Sequence, residues 1–303
     1  MRIYHELARS SERPLVLAIG FFDGFHRGHR EIARQTLRMR RPGWRSGVLS
    51  FANHPASFLR PGSEPPLLNT ASERIDLFAS VGFEECFFVR FDERIAMLGP
   101  QAFLDVLLRM GVRGVAVGST FRFGHKRAGD AALMQAYLAT HGVEFVPVTN
   151  VAADGDRISS TRIRELVAQG DVPSADRLLG GCGYEIRGTV ELGAGRGHGL
   201  GFPTANLRLP AKLLPRDGVY SAVARHDGRD YAALVSIGTN PHFDGKQRTI
   251  EAWLRDFHQT IYGREIALRE FRFVRDQRSF GGVDELMLQM QRDSEAIAFP
   301  SYG

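Results

Sequence analysis

A chain of 303 residues is long for one hydrophobic core and comfortable for two domains. A hydrophobic share of 43% and a charged share of 24% are ordinary for a protein in water, and no apolar run approaches the ~20 residues of a membrane span. No signal-peptide layout surrounds the first apolar run, so a cytoplasmic protein without membrane contact is expected.

The net charge of +5 raises nucleic-acid binding, but the arginines are dispersed among acids, as in Arg162-Ile163-Arg164-Glu165. The lysines are only Lys126, Lys212 and Lys246, and no basic tail or RNA-recognition motif occurs. A mildly basic surface suits a small polyphosphate ligand equally well, and no nucleic-acid partner is expected. Cys86 and Cys182 are far apart and outside any CxxC pattern, which argues against a disulfide or a zinc site.

In chain order, Leu15 to Ile19 is an apolar run of strand length. The glycine-rich stretch Gly20-Phe21-Phe22-Asp23-Gly24-Phe25-His26-Arg27-Gly28-His29 follows, and a helix is predicted from about Arg30 to Met39. Strand, glycine-rich turn and helix start together form the setting in which backbone N–H groups and the helix dipole hold phosphate. Gly28 allows close backbone approach, and His26 and His29 can donate to phosphate oxygens. A histidine pair could also bind metal or be structural; His54 is the only third ligand nearby.

Strands are predicted at 47–51, 86–89, 112–118 and 143–148, and helices at 72–79 with Ser72 as candidate cap, 100–111, 130–141, 161–169 and 173–179. This alternation implies a mostly parallel sheet with helices on both faces, a Rossmann-like α/β domain. Near Gly180-Gly181-Cys182-Gly183 the texture changes. Strands are then predicted at 184–191, 218–225, 230–237, 249–254 and 266–274, with Asp227-Gly228 as a hairpin turn and a helix at 283–298. The expectation is an antiparallel β-barrel closed by a C-terminal helix, with domains at 1–182 and 183–303.

No Walker A loop and no GxGxxG occur. In the second half, Gly199-Leu-Gly-Phe-Pro-Thr-Ala-Asn-Leu207 places Pro203 before Thr204 and Asn206, whose oxygens could face one Mg²⁺–phosphate group. An edge-strand turn in which Asn206 caps local backbone is the plainer alternative.

The stretch at 20–29 resembles the Gly-x-Phe-Asp-Gly-x-His-x-Gly-His motif of the cytidylyltransferase-like nucleotidyltransferases, and within them the bacterial bifunctional riboflavin kinase/FAD synthetases. Ser50-Phe-Ala-Asn-His-Pro55, Phe121-Arg-Phe-Gly124 with Arg127-Ala-Gly-Asp130, and Arg157-Ile-Ser-Ser-Thr-Arg-Ile-Arg164 resemble its further motifs. Gly-Phe-Pro-Thr-Ala-Asn at 201–206 is the riboflavin kinase signature, followed by Pro215-Arg-Asp-Gly-Val-Tyr220, Ser236-Ile-Gly-Thr-Asn-Pro-His-Phe243 and Arg248-Thr-Ile-Glu251.

The resemblance implies two reactions: phosphorylation of riboflavin to FMN, and adenylylation of FMN to FAD with release of pyrophosphate. It assigns His26, His29 and Arg157 to catalysis of adenylyl transfer and Glu251 to the general base of the kinase. It puts ATP on Gly20, Phe22, Asp23, Gly24, Gly28, Ser160, Thr161 and Arg164, and on Gly201, Pro203, Thr204 and Asn206. Flavin would lie on His54, Pro55, Phe123, Gly124 and Arg127, and Mg²⁺ on Thr204 and Asn206. Small-molecule substrates, and a monomer or weak homo-oligomer, go with it. The family usually has an acid followed by Asn or Asp where Ser119-Thr120 stands, and Asn and Thr where Ser236 and His242 stand. The alternatives are a kinase with a weakened adenylyltransferase half, a non-catalytic flavin or nucleotide sensor, and an adenylyltransferase acting on another phosphate or on RNA.

Overall fold

The computed structural model describes residues 1–8, 11–149, 151–153, 156–181, 183–192, 204–239, 248–278, 280 and 282–295. They form two compact units, Met1–Ser160 and Thr161–Gly303.

The first unit contains, in order, β1 (Arg2–Tyr4), β2 (Leu15–Ile19), α1 (Arg27–Arg38), β3 (Arg45–Phe51), α2 (Pro55–Leu59), α3 (Ala71–Ser80), β4 (Glu85–Val89), α4 (Glu93–Met97), α5 (Pro100–Arg109) and β5 (Val112–Gly118). A small hairpin, β6 (Arg122–Phe123) and β7 (Gly129–Asp130), follows, then α6 (Ala131–Thr140), β8 (Glu144–Val148) and the short pair β9 (Ala152–Ala153) and β10 (Asp156–Arg157). Six strands make one parallel sheet in the order β1-β4-β3-β2-β5-β8.

Both faces of this sheet are buried, which is why its strands read as unbroken apolar runs. Leu15, Leu17 and Ile19 of β2 point into one core with Phe103, Leu104, Leu107 and Met134 from α5 and α6. Val16 and Ala18, the alternate residues, point into the other with Ile32, Ala33 and Phe78 from α1 and α3. From β2 the chain builds outward through β3 and β4, then returns to place β5 and β8 on the other side. The order therefore reverses between β2 and β5, and the carboxyl ends of those two strands flank the crevice where open α/β sheets bind ligands.

The second unit begins in α7 (Ser160–Gln169), continues through α8 (Val172–Leu179), and winds a barrel from β11 (Glu185–Glu191), β12 (Thr204–Leu207), β13 (Gly218–His226), β14 (Arg229–Thr239), β15 (Arg248–Leu254) and β16 (Glu265–Arg275). The barrel closes in the order β11-β12-β15-β14-β13-β16, every pairing antiparallel, and α9 (Val283–Glu295) follows it. Closure leaves no free sheet edge. The interior is filled by alternate residues, among them Ala205, Leu207, Tyr220, Ala222, Ala233, Val235, Ile250, Ala252 and Leu268; the alanines fit a narrow bore.

Several details differ from the sequence expectation. Thr204–Leu207 is a barrel strand, not an edge-strand turn. The cap of α3 is Thr70 rather than Ser72, because Thr70 and Glu73 form a reciprocal capping box. The predicted end of α9 beyond 295, and Cys182, lie outside the described residues.

Candidate active sites

At the carboxyl end of β2 the chain folds tightly on itself. Phe22 and Phe25 take positive φ of 59° and 37°, as does Gly24 at 82°. The Phe22 ring turns back over Gly20, where an added Cβ would lie 2.8 Å from it, and packs edge-on against Phe25, Phe78 and His29. Asp23 is buried, and its carboxylate accepts hydrogen bonds from the backbone N–H groups of Leu68 (2.9 Å) and Asn69 (3.1 Å). The Asn69 side chain in turn accepts from Gly24 N–H at 2.9 Å. Asp23 thus holds the turn against the loop before α3.

His26 caps α1, its Nδ1 accepting from the backbone N–H of His29. The two imidazoles stack with centroids 3.6 Å apart and planes 18° from parallel. A Cβ on Gly28 would come within 3.1 Å of the His26 ring, so Gly28 makes room for that ring. Burial, then the nearby Arg157 guanidinium, push the His26 pKa down to about 4. Burial and His26 hold that of His29 well below its usual value. His29 Nδ1 is buried without a hydrogen-bond partner among the described residues.

From the end of β5 the Thr120 hydroxyl accepts a hydrogen bond from Arg157 at 3.2 Å. Ser160, the first residue of α7, donates its hydroxyl to the Asp23 carbonyl at 2.8 Å. The crevice between β2 and β5 is therefore bordered by two neutral imidazoles, one guanidinium and Ser160, a set suited to an anionic polyphosphate. Thr161 and Arg164 follow in α7.

In the barrel, register brings the other candidates together. Asn206 of β12 lies directly opposite Glu251 of β15, and Glu251 directly opposite Ser236 of β14. Their neighbours Ala205, Leu207, Ile250, Ala252, Val235 and Ile237 are all buried, so the row of Asn206, Glu251 and Ser236 occupies the outer face of the barrel. Thr204 lies two residues before Asn206 and shares its face. Gly201 and Pro203 lie outside the described residues.

A family model for FAD synthetase matches residues 8–162, and one for riboflavin kinase matches residues 181–298. A bifunctional riboflavin kinase/FMN adenylyltransferase of Listeria monocytogenes is 34% identical over 92% of this chain and 90% of that protein. Its counterpart in Escherichia coli is 33% identical over 97% and 95%. The chain belongs to the bifunctional riboflavin kinase/FMN adenylyltransferase family. A solved structure described as a macrolide-efflux protein from Streptococcus pneumoniae superposes with a TM-score of 0.87 at 29% identity, over 97% of this chain and 98% of that one. Among the described residues here, no helix is long and apolar enough to cross a membrane.

Within the FAD synthetase domain the motifs prove to be tied together by residues that sequence reasoning missed. Arg74 of α3 is fully buried, and its guanidinium donates to the carbonyls of Phe21 (3.1 Å), Phe51 (2.9 Å) and Ala52 (3.3 Å). It stacks 4.3 Å from the Phe21 ring, whose edge contact with His54 joins the first motif to the second. Burial pushes the Arg74 pKa down to about 10, which leaves it charged at neutral pH. Asn53 holds the far side, donating to Phe91 O (3.0 Å) and accepting from Phe91 N–H (2.8 Å).

His54 and Pro55 start α2, His54 as its cap. Phe123 is a core residue packed against Phe103 and closed over Gly129, so its ring serves packing. Gly124, at φ 72°, lies against the Pro100 backbone, where a Cβ would come within 2.8 Å. Arg127 sits at φ 60° next to Lys126 at 53°, on the exposed turn between β6 and β7.

Proposed function

We propose that the FAD synthetase domain transfers the adenylyl group of ATP to FMN and that the riboflavin kinase domain makes that FMN from riboflavin and ATP. In the kinase domain the 5′-hydroxyl oxygen of the ribityl chain attacks the γ-phosphorus, its proton passes to Glu251, and ADP leaves. The observation that carries this is the register that sets Glu251 beside Asn206 on one outer face of the barrel. A carboxylate and an amide oxygen are thereby held side by side on two hydrogen-bonded strands.

The hydroxyl of Thr204 and the amide of Asn206 are hard oxygen donors of the kind Mg²⁺ takes. Among the described residues no three His, Cys, Asp or Glu side chains form a metal cage, so the nucleotide phosphates would complete the coordination. When bound, Mg²⁺ neutralises phosphate charge as it develops. Glu251 takes the proton, and Thr204 and Asn206 fix the nucleotide end.

In the adenylyltransferase domain an oxygen of the FMN phosphate attacks the α-phosphorus, the α–β phosphoanhydride bond breaks, and pyrophosphate leaves. No protein nucleophile is required. His26, His29, Arg157 and Ser160 orient the triphosphate and stabilise its charge. Thr120 supports this by accepting a hydrogen bond from Arg157.

Incubating the full chain with riboflavin, ATP and Mg²⁺ and separating the flavins by chromatography tests both halves. FMN and FAD are expected from the native chain, and no FMN from Glu251→Gln. FMN without FAD sinks the adenylyltransferase reading; undiminished FMN from Glu251→Gln sinks the base assignment.

A further inference from the structure

The phosphates of ATP and FMN bring several negative charges to the crevice after β2, and the leaving pyrophosphate gains more as its bond to the α-phosphorus breaks. The two stacked imidazoles there are neutral, so they offer hydrogen bonds but no positive charge. Arg157 brings one.

A second guanidinium stands at the same end of α1. Arg30 lies one turn beyond the His26 cap, its backbone N–H donating to the His26 carbonyl at 2.9 Å. Residues four apart share a helix face, and long helical side chains lean back toward the N-terminus. Arg30 does so: its guanidinium carbon lies 5.3 Å from the centre of the Phe25 ring, over the residue immediately before the cap. Phe25 is itself buried, at φ 37°, with its ring edge-on to Phe22 and Phe78, so the platform beneath the guanidinium is fixed.

Among the described residues this cation has no use. Arg30 is half-buried, its Nε is buried without a hydrogen-bond partner, and no carboxylate pairs with it. Glu31, the acid next in sequence, is taken by Arg34 and Gln35. The other arginines about the turn are committed, Arg74 to backbone carbonyls and Arg157 to Thr120. A half-buried charge without a partner is unfavourable until an anion meets it. Guanidinium suits phosphate oxygens, which it binds through two parallel N–H groups.

We propose that Arg30 is a phosphate-binding residue of the adenylyltransferase site and holds the pyrophosphate end of ATP. This rests on the reading of the first unit as the adenylyltransferase. Most of the charge of ATP sits on its β and γ phosphates, and these leave together. A cation that keeps hold of them stabilises the charge gathered there as the α–β bond breaks, while the α-phosphorus stays open to the FMN phosphate.

The test uses the full-length protein with Mg²⁺. Arg30→Met keeps a good helix former against Phe25 and removes the charge with its donors. In FAD formation it should raise KM for ATP about tenfold and leave KM for FMN unchanged. Inhibition by pyrophosphate should weaken by a similar factor, and inhibition by AMP, which lacks the β and γ phosphates, should stay as it is. Arg30→Lys should recover part of both losses. An unchanged KM for ATP, an unchanged response to pyrophosphate, or an equal loss toward FMN, AMP and pyrophosphate overturns the proposal. FMN formation from riboflavin reports in each variant that the chain is folded. Calorimetric titration with magnesium pyrophosphate needs no turnover: weaker binding to Arg30→Met is expected, and equal binding to both chains counts against the proposal. A native chain that makes no FAD, yet binds pyrophosphate through Arg30, would sink the adenylyltransferase reading and leave the phosphate site standing.

Discussion

Two imidazoles stacked at 3.6 Å are stable together only while at least one is neutral, and burial keeps both neutral at neutral pH. This sets a sign for pH dependence. An unfolded histidine titrates near 6.5, whereas folded His26 stays neutral down to about 4. Between those values the unfolded chain binds more protons, so stability falls as pH falls, by on the order of 1 kcal/mol per pH unit for each such histidine. The urea midpoint of the first unit should therefore drop between pH 6.5 and 4.5, and His26→Asn should flatten that drop; an unchanged slope would assign the titration elsewhere. Polyphosphate beside the rings acts oppositely and raises their affinity for protons. ATP binding near pH 6 should then take up protons, seen as a binding enthalpy that varies with the ionisation enthalpy of the buffer. Gly28 belongs to the same design. Gly28→Ala presses a methyl against the His26 ring, and a marked loss of FAD formation with FMN formation intact is expected.

At the scale of elements, α3 lies far from the sequence motifs yet sets their spacing through Arg74. One guanidinium satisfies carbonyls at the ends of both β2 and β3, so the two loops move together or not at all. Arg74→Met keeps the length and apolar contact of the side chain but leaves those carbonyls without their donor, at a cost of about 2–4 kcal/mol. Thermal unfolding of the first unit should fall by several degrees, with FAD formation lost and FMN formation kept. Arg74→Lys, a single point donor, should rescue only part of it. Nothing in a linear reading marks Arg74, because its partners are backbone carbonyls at least 22 residues away. Thr120 and Arg157 were each marked in the sequence, but the hydrogen bond between them, 37 residues apart, was not. What local physics dictates was legible: β2, β3, β4 and β5 as buried apolar runs, α5 opening on Pro100, and the Asp227-Gly228 hairpin. Short elements were not. The three-residue β1 and the five-residue α2 and α4 are too brief for periodicity to register, and β12 was masked by the proline before it.

For the whole molecule, the decisive fact is that each unit has its own core. The parallel sheet buries two apolar layers without the barrel, and the barrel closes on its own interior. Damage to one set of site residues should therefore leave the other reaction running. Glu251→Gln should make no FMN from riboflavin but convert supplied FMN to FAD. His29→Asn should accumulate FMN from riboflavin and make no FAD. Mixed in equal amounts, the two variants should restore conversion of riboflavin to FAD, with a lag that shortens as protein concentration rises, because FMN released by one chain must reach another. Chromatography of the flavins over time measures this directly. If Glu251→Gln also abolishes FAD formation from supplied FMN, the two units depend on each other for activity, and separate cores are not enough to make separate enzymes.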